Sequence, residues 1–207
     1  MTIVDNRPAG AGNRADEFAV ARKAMVESQL RVSGVNAPIV RERMGTVPRE
    51  DFVPETARGT AYMDRAIPLG DGRFLAAPLA HGRMLEEAAP TAADKVLLVD
   101  GGSGYLAELL RPIVGSLEVI DPAEAAADTA KKGDCTLLVI DGAIEHFPES
   151  LGQRLAADGR VVAGLQVRGI SRLAIGRKVG GQVSLIPLTE MGIPLLAEFA
   201  APKGWSF

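Results

Sequence analysis

An apolar run that ends in a glycine-rich turn is the feature that most constrains the fold of this chain. Residues 96–99 read Val-Leu-Leu-Val, residues 100–104 read Asp-Gly-Gly-Ser-Gly, and apolar residues follow at helical spacing from residue 106 to residue 110. A strand, a glycine turn and a helix start together can cradle a nucleotide cofactor, because glycine lets the backbone approach the ligand and the helix start offers free N–H groups. The alternative is a plain tight turn between a strand and a helix.

Short apolar runs alternate with helical patterns through the second half of the chain. The predicted strands are 96–99, 117–120, 137–140 and 160–165, and the predicted helices are 105–114, 123–132 and 149–157. This alternation is typical of a parallel sheet that is covered by helices on both faces. Gly180-Gly181-Gln182 separates two further apolar segments, 170–179 and 183–188, and predicts an antiparallel hairpin at the end of the sheet.

The first half of the chain is less regular. We predict a flexible tail over residues 1–15, helices over 16–32 and 80–89, a short helix capped by Asn36, and mostly loop over 49–72. Gly34 fits the end of the first helix. We therefore expect one domain over residues 16–207, with a helical and loop region at 16–94 and an α/β core at 95–207.

The composition is that of an ordinary globular protein. The chain has 207 residues, of which 47% are hydrophobic and 24% are charged, and its net charge is −3. The acidic balance gives no sign of a nucleic-acid partner, and no apolar run is long enough to cross a bilayer. The chain does not begin with a basic segment followed by an apolar stretch, and Cys135 is the single cysteine. We therefore expect a cytoplasmic protein without an intrachain disulfide, a cysteine metal cluster or a membrane partner.

Seven segments, in family order, resemble the protein-L-isoaspartate O-methyltransferase family. They are 25–30 (MVESQL), 47–54 (VPREDFVP), 61–64 (AYMD), 67–70 (IPLG), 96–105 (VLLVDGGSGY), 155–160 (LAADGR) and 186–189 (IPLT). The resemblance implies a Rossmann-like fold and S-adenosylmethionine as the cofactor. The implied activity is methylation of the free carboxylate of isoaspartyl residues in damaged proteins. That reaction is an in-line displacement, which depends on positioning more than on a strong base.

The resemblance also implies a set of cofactor-binding residues, each with a structural alternative. The candidates are His81, Asp100, Gly101, Gly102, Ser103, Gly104, Asp121 and Thr189. The turn would wrap the methionine portion of the cofactor. Asp121 would accept hydrogen bonds from ribose hydroxyls, or would cap the next helix. His81 would lie near the cofactor or on an ordinary helix surface, and Thr189 would lie near the active site or be a plain β-branched strand residue.

Four positions depart from the family pattern. Asp100 stands where the turn of the family has its first glycine, so its side chain either crowds the ligand or faces the ammonium group of the cofactor. The acidic residue expected two positions earlier is Leu98. Ala76 occupies the position of a serine in the substrate loop of the family, so no catalytic residue is assigned, and Phe74 replaces a threonine there. Loss of an oriented hydroxyl costs about 1–3 kcal/mol of transition-state stabilisation.

A deletion is the fifth departure. The family has a further strand, followed by a Gly-Asp-Gly segment that holds the adenine ring. Residues 122–136 leave room for one short helix only, since a complete strand–helix–strand unit needs roughly 30 residues. We therefore predict that one edge strand and the adenine-binding segment are missing, and that Gly133-Asp134-Cys135 is a turn into the next strand.

Several functional hypotheses follow from these departures. The leading one is methylation of isoaspartyl carboxylates, with an isoaspartyl protein or peptide as the partner. One alternative is a catalytically silent relative that serves as a binding or assembly module, with a homodimer formed through the shortened side of the sheet. Another is a methyltransferase with a changed substrate, whose pocket Phe74 and Leu75 make apolar. A dinucleotide-binding oxidoreductase is disfavoured by the glycine spacing and the antiparallel ending.

Overall fold

The fold is described from a computed structural model, which covers residues 11–127 and 131–201. The helices are α1 (Ala11–Met25), α2 (Pro38–Thr46), α3 (Pro78–Ala88), α4 (Tyr105–Leu110), α5 (Pro122–Ala126) and α6 (Glu149–Arg154). The strands are β1 (Ile67–Gly70), β2 (Arg73–Leu75), β3 (Lys95–Val99), β4 (Ser116–Ile120), β5 (Cys135–Ile144), β6 (Leu155–Val167), β7 (Ile170–Val179) and β8 (Gln182–Glu190). Short 3-10 turns lie at Arg49–Phe52, Glu55–Thr60 and Ala197–Phe199.

The main sheet has six strands in the order β4-β3-β5-β6-β7-β8. The first four strands in this order run parallel, and β6, β7 and β8 pair antiparallel. The turn between β7 and β8 uses Gly180 and Gly181, whose φ angles are 60° and 86°. Such angles suit glycine, which has no Cβ to clash. The predicted mostly parallel sheet with an antiparallel C-terminal hairpin is therefore confirmed.

The side chains of the parallel strands enter two separate cores. Along β3, Val96 and Leu98 join one core, whereas Leu97 and Val99 join the other. Helices α3 and α4 contribute to the first core, and α5 and α6 contribute to the second. Because successive side chains of a strand point to opposite faces, a continuous apolar run is what a sheet covered on both faces requires.

Strand β4 lies at one edge of the main sheet. Among residues 11–127 and 131–201, β3 is its only strand neighbour, in agreement with the predicted loss of an edge strand. The link to β5 contains α5, which ends at Ala126, whereas the sequence predicts a helix up to Lys132. Residues 131–134 have no regular structure, so that prediction is too long, and residues 128–130 lie outside the described part.

The first half of the chain differs from its prediction in two details. Helix α1 begins at Ala11, inside the predicted tail, while residues 1–10 lie outside the described part. Helix α1 continues into a π-helical turn (Val26–Leu30) and a 3-10 turn (Arg31–Ser33), and this helical segment ends at Gly34, as predicted, with a φ of 86°. Asn36 does not cap α2. The carboxylate of Glu86, on α3, accepts hydrogen bonds from the N–H groups of Asn36 (3.0 Å) and Ala37 (2.9 Å), so the cap comes from a neighbouring helix.

Smaller differences concern element ends in the rest of the chain. The predicted loop over 49–72 contains strand β1, which pairs antiparallel with β2. Helix α6 ends at Arg154, three residues early, and β6 begins at once. Element ends are set by individual backbone hydrogen bonds, which a periodicity does not reveal. The division into a tail and one domain stays a prediction.

Candidate functional site

The turn after β3 has the backbone that its glycines predict. Gly102 and Gly104 have φ angles of 105° and 73°, which other residues rarely adopt. A Cβ at Gly101 would meet the backbone oxygen of Asp141 well inside van der Waals contact. Asp100 donates its backbone N–H to Ile120 at 2.9 Å, which ties the turn to the end of β4. Strands β4 and β5 lie on either side of β3, so the turn lies between the carboxyl ends of these two strands.

The carboxylate of Asp100 folds back over this turn. Its Oδ2 accepts the N–H of Gly102 at 3.0 Å, and its two oxygens accept the N–H of Gly104 at 3.1 and 3.2 Å. The hydroxyl of Ser103 accepts the N–H of Tyr105 at 3.1 Å. Burial, reinforced by the nearby charge of Asp141, raises the pKa of Asp100. Two amide groups of the predicted cofactor turn are thus already engaged by the chain itself.

His81 lies in the protein interior, between two charged side chains. Its Nε2 is 2.8 Å from Oδ1 of Asp141, and its Nδ1 is 3.2 Å from NH1 of Arg49. A guanidinium can only donate, so Nδ1 accepts and Nε2 carries the proton that is donated to Asp141. The side chains of all three residues are almost fully buried. The predicted helix-surface alternative for His81 is wrong, and both ring nitrogens are used within the protein.

Arg49 anchors the other end of this buried chain of contacts. Its Nε donates to the carbonyl of Ala61 at 2.8 Å, and its NH2 donates to the carbonyl of Ala76. The guanidinium also lies 4.9 Å from the ring centroid of Tyr105. Burial lowers the pKa of Arg49, and the neighbouring Tyr105 and Asp141 oppose that shift. A guanidinium remains charged in proteins, so Arg49 supplies a positive charge inside the core.

Asp141 has one free oxygen beside the turn. His81 holds Oδ1, whereas Oδ2 is buried and has no hydrogen-bond partner among residues 11–127 and 131–201. The position of a Cβ on Gly101 would be 3.5 Å from Cγ of Asp141, so this carboxylate lies against the turn. Asp100, Asp141 and Arg49 together carry two negative charges and one positive charge. The end of β3 therefore has a negative balance, which favours a cation or a proton over an anion.

An ion pair between Arg73 and Glu198 lies beside the turn, next to Gly102. The side chain of Arg73 lies 3.2 Å from the position of a Cβ on Gly102. NH1 of Arg73 donates to Oε2 of Glu198 at 3.0 Å, and NH2 donates to the other carboxylate oxygen. Glu198 belongs to the 3-10 turn Ala197–Phe199, which contacts α5. The last described part of the chain therefore reaches across to the β1–β2 hairpin beside the predicted cofactor turn.

Asp121 lies at the end of β4, next to the turn. Its Oδ1 accepts the N–H of Glu124 at 2.7 Å, with Pro122 as the first residue of α5. The predicted capping role is therefore present, since this is the geometry of an N-cap. The side chain is also exposed beside the turn, so the ribose-binding role stays a prediction.

Ala76, in the predicted substrate loop, and Thr189, in the last strand, are the remaining positions that the resemblance singles out. Ala76 is buried, and its carbonyl receives the Arg49 guanidinium, while Phe74 keeps 37% of its surface exposed. Thr189 is on β8, at the far edge of the sheet, where it pairs with Leu173 on β7. Four strand spacings separate β8 from β3, a distance of roughly 19 Å. The final hairpin extends the sheet away from β3, so Thr189 is distant from the turn, and its cofactor-binding role stays a prediction.

Two central residues of the site, Arg49 and Asp141, were not among the residues predicted from the sequence. Asp141 directly follows the apolar run of β5, in the same way that Asp121 follows β4, so the same rule could have found it. Arg49 lies in the VPREDFVP segment, where nothing in its neighbours indicates burial. Within the described residues, no group of three or more potential ligands could hold a metal ion. No helix in that part of the chain is long and apolar enough to span a membrane.

Comparison with known proteins assigns the chain to a family. Residues 21–133 match the family model described as protein-L-isoaspartate(D-aspartate) O-methyltransferase. The chain is 33% identical to protein-L-isoaspartate O-methyltransferase 1 of Rhodopseudomonas palustris (strain HaA2), over 78% of this chain and 76% of the relative. It is 34% identical to a protein-L-isoaspartate O-methyltransferase of Aeropyrum pernix, over 92% and 85% of the two chains.

Solved structures support the same fold. A crystal structure from Plasmodium falciparum, described as a protein-L-isoaspartate O-methyltransferase in complex with S-adenosyl-L-homocysteine, matches with a TM-score of 0.66 and 16% identity. The match covers 86% of this chain and 98% of that one. A second protein-L-isoaspartate O-methyltransferase matches with a TM-score of 0.67 and 15% identity, over 85% and 66% of the two chains. By its matched segments and its Rossmann-like methyltransferase fold, the chain belongs to the protein-L-isoaspartate O-methyltransferase family.

Proposed function

We propose that this chain transfers a methyl group from S-adenosylmethionine to the free carboxylate of isoaspartyl residues in proteins. Family membership supports the reaction, and one structural observation supports the position at which the cofactor would bind. The glycine turn after β3 and Asp121 after β4 lie side by side at the carboxyl ends of parallel strands. Ligands of open α/β sheets bind at this edge, where the connections from neighbouring strands leave a crevice.

The turn and Asp121 would hold the two ends of the cofactor. The backbone of residues 101–104 would contact the methionine portion, and the free oxygen of Asp121 would accept a ribose hydroxyl. When bound, the cofactor supplies a methyl group on a sulfonium. His81 acts through Asp141, because both of its nitrogens are already bonded within the protein. We therefore assign His81 as a positioning residue that fixes the Asp141 carboxylate beside the turn.

The substrate loop is held in place but lacks a hydroxyl. Arg49 fixes the carbonyl of Ala76 from inside, so the backbone of the loop is ordered without a contribution from the side chain. A carboxylate nucleophile needs no strong base, so orientation is the main task of this loop. Loss of one oriented hydroxyl is expected to slow transfer roughly 5- to 150-fold. Ala76→Ser should recover part of that factor.

The proposed activity is tested by methyl transfer to matched peptides. Labelled S-adenosylmethionine is supplied with an isoaspartyl peptide or with the aspartyl peptide of identical sequence. We expect label in the isoaspartyl peptide only, released on mild base treatment as a methyl ester is. Ala76→Ser should raise the rate without changing this selectivity. Absence of transfer to the isoaspartyl peptide, with cofactor binding demonstrated, would contradict the proposal.

A second candidate function is a binding module without methyl transfer. The observation that favours it is the Asp100 carboxylate, which engages the amides of Gly102 and Gly104. This candidate predicts no transfer in the same assay. It also predicts no measurable binding when S-adenosylhomocysteine is titrated into the protein. Transfer to some other carboxylate, with none to the isoaspartyl peptide, would instead indicate a changed substrate in the loop that carries Phe74.

We also propose a cytoplasmic location and a homodimer formed through the β4 side of the sheet. Val119 on β4 keeps 42% of its surface exposed, and no strand covers its outer edge within the described residues. The edge also carries Glu118, paired with Lys131 and Arg154, so the contact would be partly polar. Sedimentation velocity should show a dimer that Val119→Lys weakens, and a monomer at every concentration would contradict it. Cell fractionation tests the location.

A further inference from the structure

We propose that Asp100 is an internal ligand of the cofactor turn, whose carboxylate occupies the amides of Gly102 and Gly104 and thereby sets how tightly an adenosyl cofactor binds. The affinity part of this inference rests on the proposed function. The contact itself belongs to the protein alone. Three hydrogen-bond distances between 3.0 and 3.2 Å describe it, and both carboxylate oxygens take part.

An internal carboxylate competes well with any external ligand. Asp100 is joined to the turn by the chain, so closing the contact costs little translational or rotational entropy, whereas a free ligand must lose both. An N–H group donates fully to one acceptor at a time. A ligand that uses the amides of Gly102 or Gly104 must therefore displace the carboxylate first.

The surroundings make displacement costly. Asp100 is half-buried, and the carboxylate of Asp141, with its free Oδ2, lies on the other side of Gly101. His81 accepts from Arg49 and donates to Asp141, and the guanidinium of Arg49 supplies the positive charge within this buried group of residues. Without the two amides, the Asp100 carboxylate would be left near a like charge with fewer donors. The hydrogen bonds between the Asp100 carboxylate and the two amides therefore stabilise the arrangement in which the carboxylate lies over the turn.

The inference is specific to the side chain at this position. Asp100 has an ordinary negative φ, so its backbone does not require a special residue. Asp100→Gly leaves the turn glycines unchanged and frees both amides. Asp100→Asn keeps the size of the side chain but offers one acceptor oxygen in place of two. Asp134→Asn is a matched control, because Asp134 is exposed and pairs with Lys95 away from the turn.

Amide hydrogen exchange tests the contact in the unliganded protein. Exchange rates at Gly102 and Gly104 are measured by NMR in the wild type and in the three variants. We expect these two amides to exchange at least tenfold faster in Asp100→Gly, with an intermediate increase in Asp100→Asn and no change in the control. Equal rates in the wild type and both Asp100 variants would overturn the contact. The Asn variant preserves this test if the Gly variant does not fold.

Calorimetric titration with S-adenosylhomocysteine tests the effect on affinity. We expect the dissociation constant of Asp100→Gly to be at least tenfold lower than that of the wild type, with the control unchanged. Measurable but equal affinities would overturn the affinity claim alone. No binding by the wild type or by Asp100→Gly would overturn that claim together with the proposed cofactor. The titration itself separates these two cases, and the exchange measurement tests the Asp100 contact independently of both, because it needs no cofactor.

Discussion

Replacing Arg49 tests the buried chain of contacts that supports the turn. Its guanidinium is fully buried, donates to two backbone carbonyls and to His81, and is linked through His81 to the carboxylate of Asp141. Arg49→Met keeps a long, flexible apolar side chain but removes the positive charge. Asp141 is then a buried negative charge with no cation linked to it, and two buried carbonyls lose their donor.

The expected loss of stability follows from these contacts. Removing one partner of a buried charge pair typically costs about 3–5 kcal/mol, because the other charge stays buried without compensation. For a domain of this size, each kcal/mol lowers the melting temperature by about 2–4 °C. The expected decrease for Arg49→Met is therefore roughly 6 to 20 °C. Arg31→Met is the control, since Arg31 pairs with Glu27 at the surface and is worth at most about 1 kcal/mol.

Urea denaturation of a double-mutant cycle measures the coupling. Asp141→Asn removes the orphaned charge, so it should cost much less in the Arg49→Met background than in the wild type. The coupling free energy should exceed about 1 kcal/mol. A loss below about 1 kcal/mol for Arg49→Met, or additive effects of the two substitutions, would show that the two charges do not support each other.

Three further predictions concern the turn and the neighbouring Asp121. Gly101→Ala should destabilise the protein by about 1–3 kcal/mol, because its Cβ would collide with the backbone of Asp141. Gly59→Ala is the control and should not destabilise the protein, because a Cβ there meets nothing within 4 Å. Thermal melting of the two variants checks both expectations. Asp121→Ala should cost about 1 kcal/mol through loss of the α5 cap, and an unchanged urea midpoint would contradict this. Burial raises the pKa of Asp100 above 3.8, so the folded state keeps this proton to a higher pH than the unfolded state does. The stability of the wild type relative to Asp100→Asn should therefore fall as the pH rises from about 3.8 through the raised pKa. Denaturation of both proteins across that range checks the sign.

The sheet could be predicted from the sequence because its pattern is repetitive. Four apolar runs separated by helical patterns, and a glycine pair before the last strand, leave few other arrangements. The ends of elements could not be predicted in the same way. The N-cap of α2 comes from Glu86, a residue on another helix, and α5 stops at Ala126 although alanine favours a longer helix.

The parts of the site that lie at the ends of neighbouring strands could be predicted from the sequence. The parts that depend on the direction of a side chain could not. The turn and Asp121 follow from the rule that parallel strands end at one edge. The sequence could not show that the Asp100 carboxylate turns back onto its own amides, because that depends on a side-chain rotamer. It could not join Arg49 to Asp141 either, since the link passes through His81, and Thr189 is distant because of the strand order.

The central claim is that a cofactor of this family binds at the carboxyl ends of β3 and β4. The most direct measurement is an NMR titration of the labelled protein with S-adenosylhomocysteine. We predict saturable shifts of the backbone amides at residues 100–104 and around Asp121, with β8 unaffected. Saturable shifts confined to other parts of the chain, or none at the solubility limit of the ligand, would contradict the claim.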